Sequence, residues 1–348
     1  MRPPGAGTFR SLRLFNYRLW AAGALVSNIG TWMQRTAQDW LVLTELTHND
    51  ASAMGVVMAL QFAPQLLLLP WTGLVADRCN QRRLLMLTQA TMGVLAFALG
   101  LLTVTGLVQL WHVYIFAFLS GSAAAFDAPV RQTFVAELVG DADLPNAIAL
   151  NSTSFNAARM IGPAVSGLVI ASIGTGWSFL VNGLSFAAVL ASLTCLRGSE
   201  LHPNARARKG RGGFVEGLRY VGRRPDLLAV LVMLFLIGTF GLNFPIFIST
   251  MAVSVFHLGA QGYGVLSSVM AIGTVTGALL CAGRDRPRFG ALLAGAAAFG
   301  IGCTLAGVAP NTWTFGVCLI LIGVASLTFM NTSNSLMQLA TEPAMRGR

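Results

Sequence analysis

The sequence predicts an all-α membrane protein of about ten transmembrane helices, six in a first bundle and four in a second. Three observations carry that prediction. Hydrophobic residues fill 55% of the 348 positions and charged ones only 10%, where a soluble domain carries about 25% charged residues. Four long stretches hold no Asp, Glu, Lys or Arg: Leu84 to Phe126, Met160 to Leu196, Leu227 to Gly283 and Phe289 to Thr341. A hydrocarbon core of about 30 Å takes about 20 apolar residues per helix, so each stretch holds two spans. Finally, every Lys and Arg except Arg35 and Arg159 falls in a segment that this arrangement puts on one side of a bilayer.

The elements follow in order. The first span, 19–44, opens after Arg2, Arg10, Arg13 and Arg18 with no small-residue cleavage site, which reads as an uncleaved start, and it closes at the acidic turn Glu45 to Asp50. Span two, 52–76, runs into Arg78, Arg82 and Arg83. Spans three and four, 84–106 and 110–130, divide at the turn Gly106 to Gln109, and Arg131 is read as the inward segment that follows. Glu137, Asp141 and Asp143 are expected in that loop, Asp141 opening the next helix. Spans five and six, 147–173 and 177–196, divide at Gly174 to Gly176. Spans seven and eight, 227–255 and 262–283, divide at His257 to Gly262 and lead to Arg284, Arg286 and Arg288. Spans nine and ten, 289–308 and 312–336, divide at Ala309 to Asn311 and end near Arg346 and Arg348. Asn243 and Pro245 mark a break in span seven, and Asn331 to Ser335 make span ten polar.

The predicted domains are therefore a six-helix bundle over 1–196, a basic cytoplasmic linker over 197–226 and a four-helix bundle over 227–348. Basic loops place both termini in the cytoplasm. A repeat is visible between Met54-Gly-Val-Val-Met-Ala-Leu60 and Tyr263-Gly-Val-Leu-Ser-Ser-Val269, offset by about 200 residues, as duplicated halves require.

Composition also excludes functions. A net charge of +10 would point to nucleic acid in a soluble protein, but here the inward loops account for it, so the expected partner is the lipid bilayer. Five cysteines without CxxC spacing and four scattered histidines predict neither a metal nor a cofactor. The chain has no HExxH, GxSxG or GxxxxGK[ST] pattern, which excludes the enzymes and nucleotide-driven pumps those motifs serve.

Span two ends in Gly73-Leu-Val-Ala-Asp77-Arg78-Cys-Asn-Gln-Arg82-Arg83. Gly73 lets a neighbouring helix approach, Asp77 can accept from a helix N-terminus, and Arg78 and Arg82 can pair with acids on adjacent helices. Simple topology signals would explain the arginines but not Gly73 or Asp77. This stretch resembles the signature between helices two and three of the major facilitator superfamily, with Asn80 standing where glycine is usual; both tolerate a left-handed turn. Arg159-Met-Ile-Gly162-Pro163-Ala-Val-Ser-Gly167 resembles the Gly-Pro motif of helix five in superfamily exporters, with Pro163 able to bend the helix. The openings Phe15-Asn-Tyr-Arg-Leu-Trp20 and Gly30 to Leu43, and the segment Phe126 to Val139, resemble a bacterial drug and siderophore exporter branch.

These resemblances imply a two-bundle fold and a secondary exporter of hydrophobic or amphiphilic small molecules, drug-like or siderophore-like. They imply alternating access in exchange for protons, in a bacterial inner membrane, with a monomer as the expected unit. They also imply a conformational latch of Gly73, Asp77, Arg78, Arg82, Arg83 and Asp127, with Asp127 pairing Arg78 or Arg82. Family members have twelve helices and the chain is read as stopping before the eleventh, so the alternative is a truncated or non-transporting protein such as a scaffold.

Charges inside the spans name the remaining candidates. Arg35 and Asp39 lie one turn apart and share a polar stripe with Asn28, Trp32 and Gln38, expected to face a cavity. The pair is open to two readings: a self-neutralising ion pair, or Asp39 as a proton carrier beside Arg35. Arg131 repeats the spacing against Asp127, and Arg159 shares a face of span five with Asn156. Arg159 is read either as a contact for an anionic substrate or as compensation for Asp127 or Asp39.

Overall fold

The computed structural model describes residues 9–340 except 48, 70, 73–74, 76–78, 203–221, 223 and 283–288. Among the described residues every regular element is helical. In chain order we label α1 Phe15–Trp40, α2 Ala51–Leu67, α3 Gln81–Val104, α4 Leu110–Gly140, α5 Asp143–Ile173 and α6 Thr175–Thr194. There follow α7 Pro225–Phe240 with a second piece Phe244–Thr250, then α8 Ala260–Ala282, α9 Phe289–Gly307 and α10 Thr312–Ala340. Among the described residues eight helices are long and apolar enough to cross a membrane. The other two are α1, which carries Arg18, Arg35 and Asp39 and continues into a π-helical turn Leu41–Leu46, and the shorter apolar α2.

Local chemistry sets several boundaries. Asp50 caps α2, its carboxylate accepting from the Ser52 N–H at 2.8 Å, and Asn80 caps α3 by accepting from the Arg83 N–H at 3.1 Å. Asn80 has φ −67° and ψ 117°, so it is extended and not left-handed. Its side chain, not its backbone tolerance, suits it to this position. The expected break in span seven lies between Phe240 and Phe244, where Asn243 donates to the Thr239 carbonyl at 2.7 Å.

Span four departs from expectation. The helix does not stop at residue 130 but runs to Gly140, so Arg131 and Glu137 are helical rather than loop residues. Nothing between Arg131 and Val139 breaks a helix, and a helix needs no membrane around its last turns. The turn comes at Gly140, whose φ of 68° a side chain would oppose. Helix α5 then begins at Asp143, with Pro145 in its first turn, where a missing N–H costs nothing.

The chain divides into two compact units. The first comprises Met1–Arg206 together with Ser249–Val265, and the second Ala207–Ile248 with Leu266–Arg348. In the first, Tyr17, Trp20, Leu85, Phe134, Leu138, Val189 and Leu193 form a buried core drawn from α1, α3, α4 and α6. Its edge is tied by Tyr17 donating to the Ala147 carbonyl at 2.9 Å, by Arg10 on Asp143 at 2.8 Å, and by Asn16 exchanging two bonds with the Arg197 backbone. In the second, Val230, Leu292 and Phe329 join α7, α9 and α10, and Phe244 meets Phe299 edge-on. Large apolar side chains such as Leu66, Val94, Leu101, Leu279 and Val317 are exposed on the flanks. A lipid environment makes that exposure inexpensive, and the satisfied helical backbone is what such an environment demands.

Candidate functional site

The site residues that can be placed lie in the first unit, around α1. A run of polar residues on this helix reaches three different neighbours, because side chains three and four apart fan out along a face that several helices share.

The lower contact is a closed network. Asp127 is 4% exposed and accepts four hydrogen bonds. Thr88 Oγ1 and Gln89 Nε2 donate to its Oδ1, each at 2.7 Å, while Arg131 reaches Oδ2 through Nε at 3.0 Å and Nη2 at 2.8 Å. Arg131 Nη1 then donates to Asn28 Oδ1 on α1 at 3.1 Å. Every charge here has a geometric partner, which is the condition for keeping an ion pair away from water.

Arg82 is not the partner of Asp127. Its Nε donates to the Leu193 carbonyl at 2.7 Å and its Nη2 to Thr194 at 2.9 Å, so it satisfies the orphan carbonyls at the C-terminus of α6. A cation there also faces the negative end of the helix dipole. The Arg83 backbone N–H is held by Asn80, as described. Gly73, Asp77 and Arg78 lie outside the described residues.

In the upper part of α1, Arg35 and Asp39 go separate ways. They form no direct ion pair: among the described residues the pairs are Arg10–Asp143, Arg131–Asp127 and Arg197–Glu200. Asp39, 8% exposed, accepts instead from the Tyr263 hydroxyl at 3.0 Å. The Tyr263 ring lies on Trp40 with centroids 6.4 Å apart and an interplanar angle of 20°. Arg35 places its guanidinium over Trp32 at 5.0 Å and near Phe62 at 5.8 Å, and Arg159 approaches the same indole at 5.3 Å. Gln38 is buried and, with Arg35, lines a small cavity among α1, α2, α3, α4 and α6. Asn156 donates within its own helix, to the Ser152 carbonyl at 2.9 Å.

The expected bend at Pro163 does not interrupt α5. From Leu110 to Ile173 the one non-helical backbone position is Gly140. What Gly162 provides is close approach: a Cβ there would come within 2.5 Å of Trp32 Cβ and 3.0 Å of the Met33 nitrogen. That glycine lets Trp32 stand between Arg35 and Arg159. Gly167 plays the same part against Ala260 and Gln261, at the start of α8.

Three partners escaped sequence reasoning: Thr88, Gln89 and Tyr263. The first two are uncharged residues in a charge-free stretch. Tyr263 is one of only four tyrosines, set at the head of an apolar span, and that isolation is the signal available.

A chain of membrane-length helices with buried charges inside the first unit fits the major facilitator transporters that its motifs resemble, a class of carriers rather than enzymes. The fold agrees with solved structures. A bacterial homologue of the human lysosomal transporter Spinster, inward-facing and unoccupied, superposes with a TM-score of 0.72 at 16% identity over 96% of this chain and 77% of its own. The nucleoside transporter NupG gives 0.72 at 13% identity, over 95% and 85%. The sequence model of the family described as transmembrane secretion effectors matches residues 6–348, and the chain belongs to that family.

Relatives include the Staphyloferrin A transporter of Staphylococcus aureus, 30% identical over 169 residues, 48% of this chain and 42% of that protein. The multidrug efflux pump Tap of Mycolicibacterium fortuitum is 28% identical over 231 residues, 64% and 55%. The enterobactin exporter EntS of Escherichia coli is 25% identical over 288 residues, 79% and 66%. The chain thus spans about two fifths to two thirds of the length of these relatives.

Proposed function

We propose that the protein is a secondary exporter of hydrophobic or amphiphilic small molecules, siderophore-like or drug-like, that works by alternating access in exchange for protons. The substrate class rests on the relatives, whose names include two siderophore transporters and a multidrug pump. The orientation, with the N-terminus and the 197–226 linker in the cytoplasm, rests on the distribution of basic residues.

The observation that carries the proton step is the buried Asp39 carboxylate held by Tyr263 without a cation bonded to it. A hydrogen bond to a charged acceptor is about twice as strong as one between neutral groups. Protonating Asp39 therefore weakens its hold on the start of α8, and losing the proton restores it. One group then links the occupancy of a proton to the position of a helix, which exchange transport requires.

Asp39→Asn should abolish pH-gradient-driven efflux in membrane vesicles while leaving expression intact, and Tyr263→Phe should reduce it while keeping the stacking on Trp40. Undiminished pH-dependent efflux in Asp39→Asn would remove the proton role.

The latch is a proposal of the same kind, supported by the residue pattern from Gly73 to Arg83. Asp77→Asn should shift the equilibrium toward the inward-open state, read by the accessibility of single cysteines on the cytoplasmic side. Matching accessibility in variant and parent would count against it.

A further inference from the structure

Two cations in the first unit have no acid bonded to them. Among the described residues the side chains of Arg35 on α1 and Arg159 on α5 form neither an ion pair nor a hydrogen bond. The two acids buried in this unit are held by other groups, Asp39 by Tyr263 and Asp127 by Arg131, Thr88 and Gln89. What the two arginines share is Trp32: both guanidinium carbons lie within 5.3 Å of its ring centroid, and that of Arg35 is also 5.8 Å from Phe62.

Arginines with a structural task in the same unit commit their N–H groups. Arg82 gives two to the carbonyls that end α6, and Arg131 gives three to Asp127 and Asn28. In Arg35 only Nε is enclosed by the protein; its two terminal nitrogens, and all three of Arg159, are unbonded and keep accessible surface. The rings beside them are open too, Phe62 being 44% and Phe155 46% exposed, and Phe155 meets Trp32 edge-on at 5.7 Å. Two like charges beside one indole repel each other, and an uncompensated cation among membrane helices is costly. An incoming acid group offsets both costs, and a guanidinium offers it paired donors in one plane. Open aromatic rings next to those donors suit an apolar body.

We propose that Arg35 and Arg159 form a binding site for organic anions, molecules with a carboxylate or comparable oxygen acid on a ring-bearing apolar body. Such anions are then the class that this exporter carries. The acid binds the free N–H groups of the two arginines, and the apolar body lies against Phe62 and Phe155. Gly162, which lets Trp32 stand between the arginines, sets their spacing. Hydrophobic cations are disfavoured at the same place by both charges. The proposal rests on the export reading for what becomes of the bound molecule, whereas binding itself can be measured on protein that transports nothing.

The test uses the full chain purified in detergent and two xanthene dyes of nearly equal size: fluorescein, which carries a carboxylate, and rhodamine 123, a cationic ester. Binding is read by fluorescence anisotropy, with empty micelles as the blank. Fluorescein should bind saturably and more tightly than rhodamine 123 by about tenfold. Arg35→Gln and Arg159→Gln should each weaken fluorescein about tenfold, and Arg159→Lys, which keeps the charge, should weaken it less. Neither glutamine variant should lower Tm, because the stacking lost is offset by removal of an uncompensated charge. A structural pair would show the reverse, a lowered Tm with fluorescein affinity unchanged, and that result overturns the proposal. Equal affinities for the two dyes, or no saturable binding of fluorescein, overturn it as well. If fluorescein binds selectively but membrane vesicles show no efflux of it, the export reading fails while the anion site stands; efflux of both dyes without charge preference does the converse.

Discussion

Asp127 illustrates what a carboxylate needs when water is far away. Two donors on each oxygen, one pair from Arg131 and one from Thr88 and Gln89, replace the solvent it left. Removing Arg131 strands the acid, so Arg131→Ala should cost about 3–5 kcal/mol of stability, read as lowered thermal stability in detergent. Adding Asp127→Asn to that variant should return part of the loss, since a neutral amide is less costly to bury unpaired. The Asp127–Arg131 spacing was legible because residues four apart on a helix meet whatever the tertiary fold. Thr88 and Gln89 were not legible, because their proximity to Asp127 comes from the packing of α3 on α4. The same limit hid Tyr263, 224 positions from Asp39, and left the Arg35–Asp39 spacing looking like an ion pair. Spacing on one helix says who can meet, and the neighbouring helices decide who does.

At the scale of elements, the charge pattern located helices better than it located their ends. Helix α4 outran its expected limit because a charged residue was read as ending the helix along with the span, and Arg131 stays helical, bonded to Asp127 one turn back. Asn80 reversed another expectation: a residue considered for its turn tolerance instead supplies an acceptor to the first turn of α3. Its removal should therefore behave as loss of a cap. Asn80→Ala should destabilise by about 1 kcal/mol and Asn80→Gly by only a few tenths, measured by thermal unfolding in detergent. A left-handed requirement at this position would instead make Asn80→Gly at least as stable as the parent, so the sign of the glycine variant's change separates the readings. Arg82, at the opposite end of its reach, caps α6 from the side, so residues close to the motif already serve two helix termini.

For the whole molecule, composition and charge-free stretches made the membrane class and the succession of helices legible, since both follow from the thickness of hydrocarbon and the cost of charge within it. The basic segments are expected on the cytoplasmic side. A fluorescent protein inserted after Gly210 should fluoresce and alkaline phosphatase at the same point should stay inactive; active phosphatase there would invert the orientation. The grouping of Ser249–Val265 with the first unit was not legible, because that segment is separated from its neighbours in the fold by chain belonging to the second. This has a bearing on biogenesis. Ribosomes add about 5–20 residues each second, so Tyr263 emerges roughly 10–45 s after Asp39. Throughout that interval the nascent first hairpin carries an acid whose hydroxyl donor has not yet been made, and the insertion machinery, not the finished fold, must shelter it.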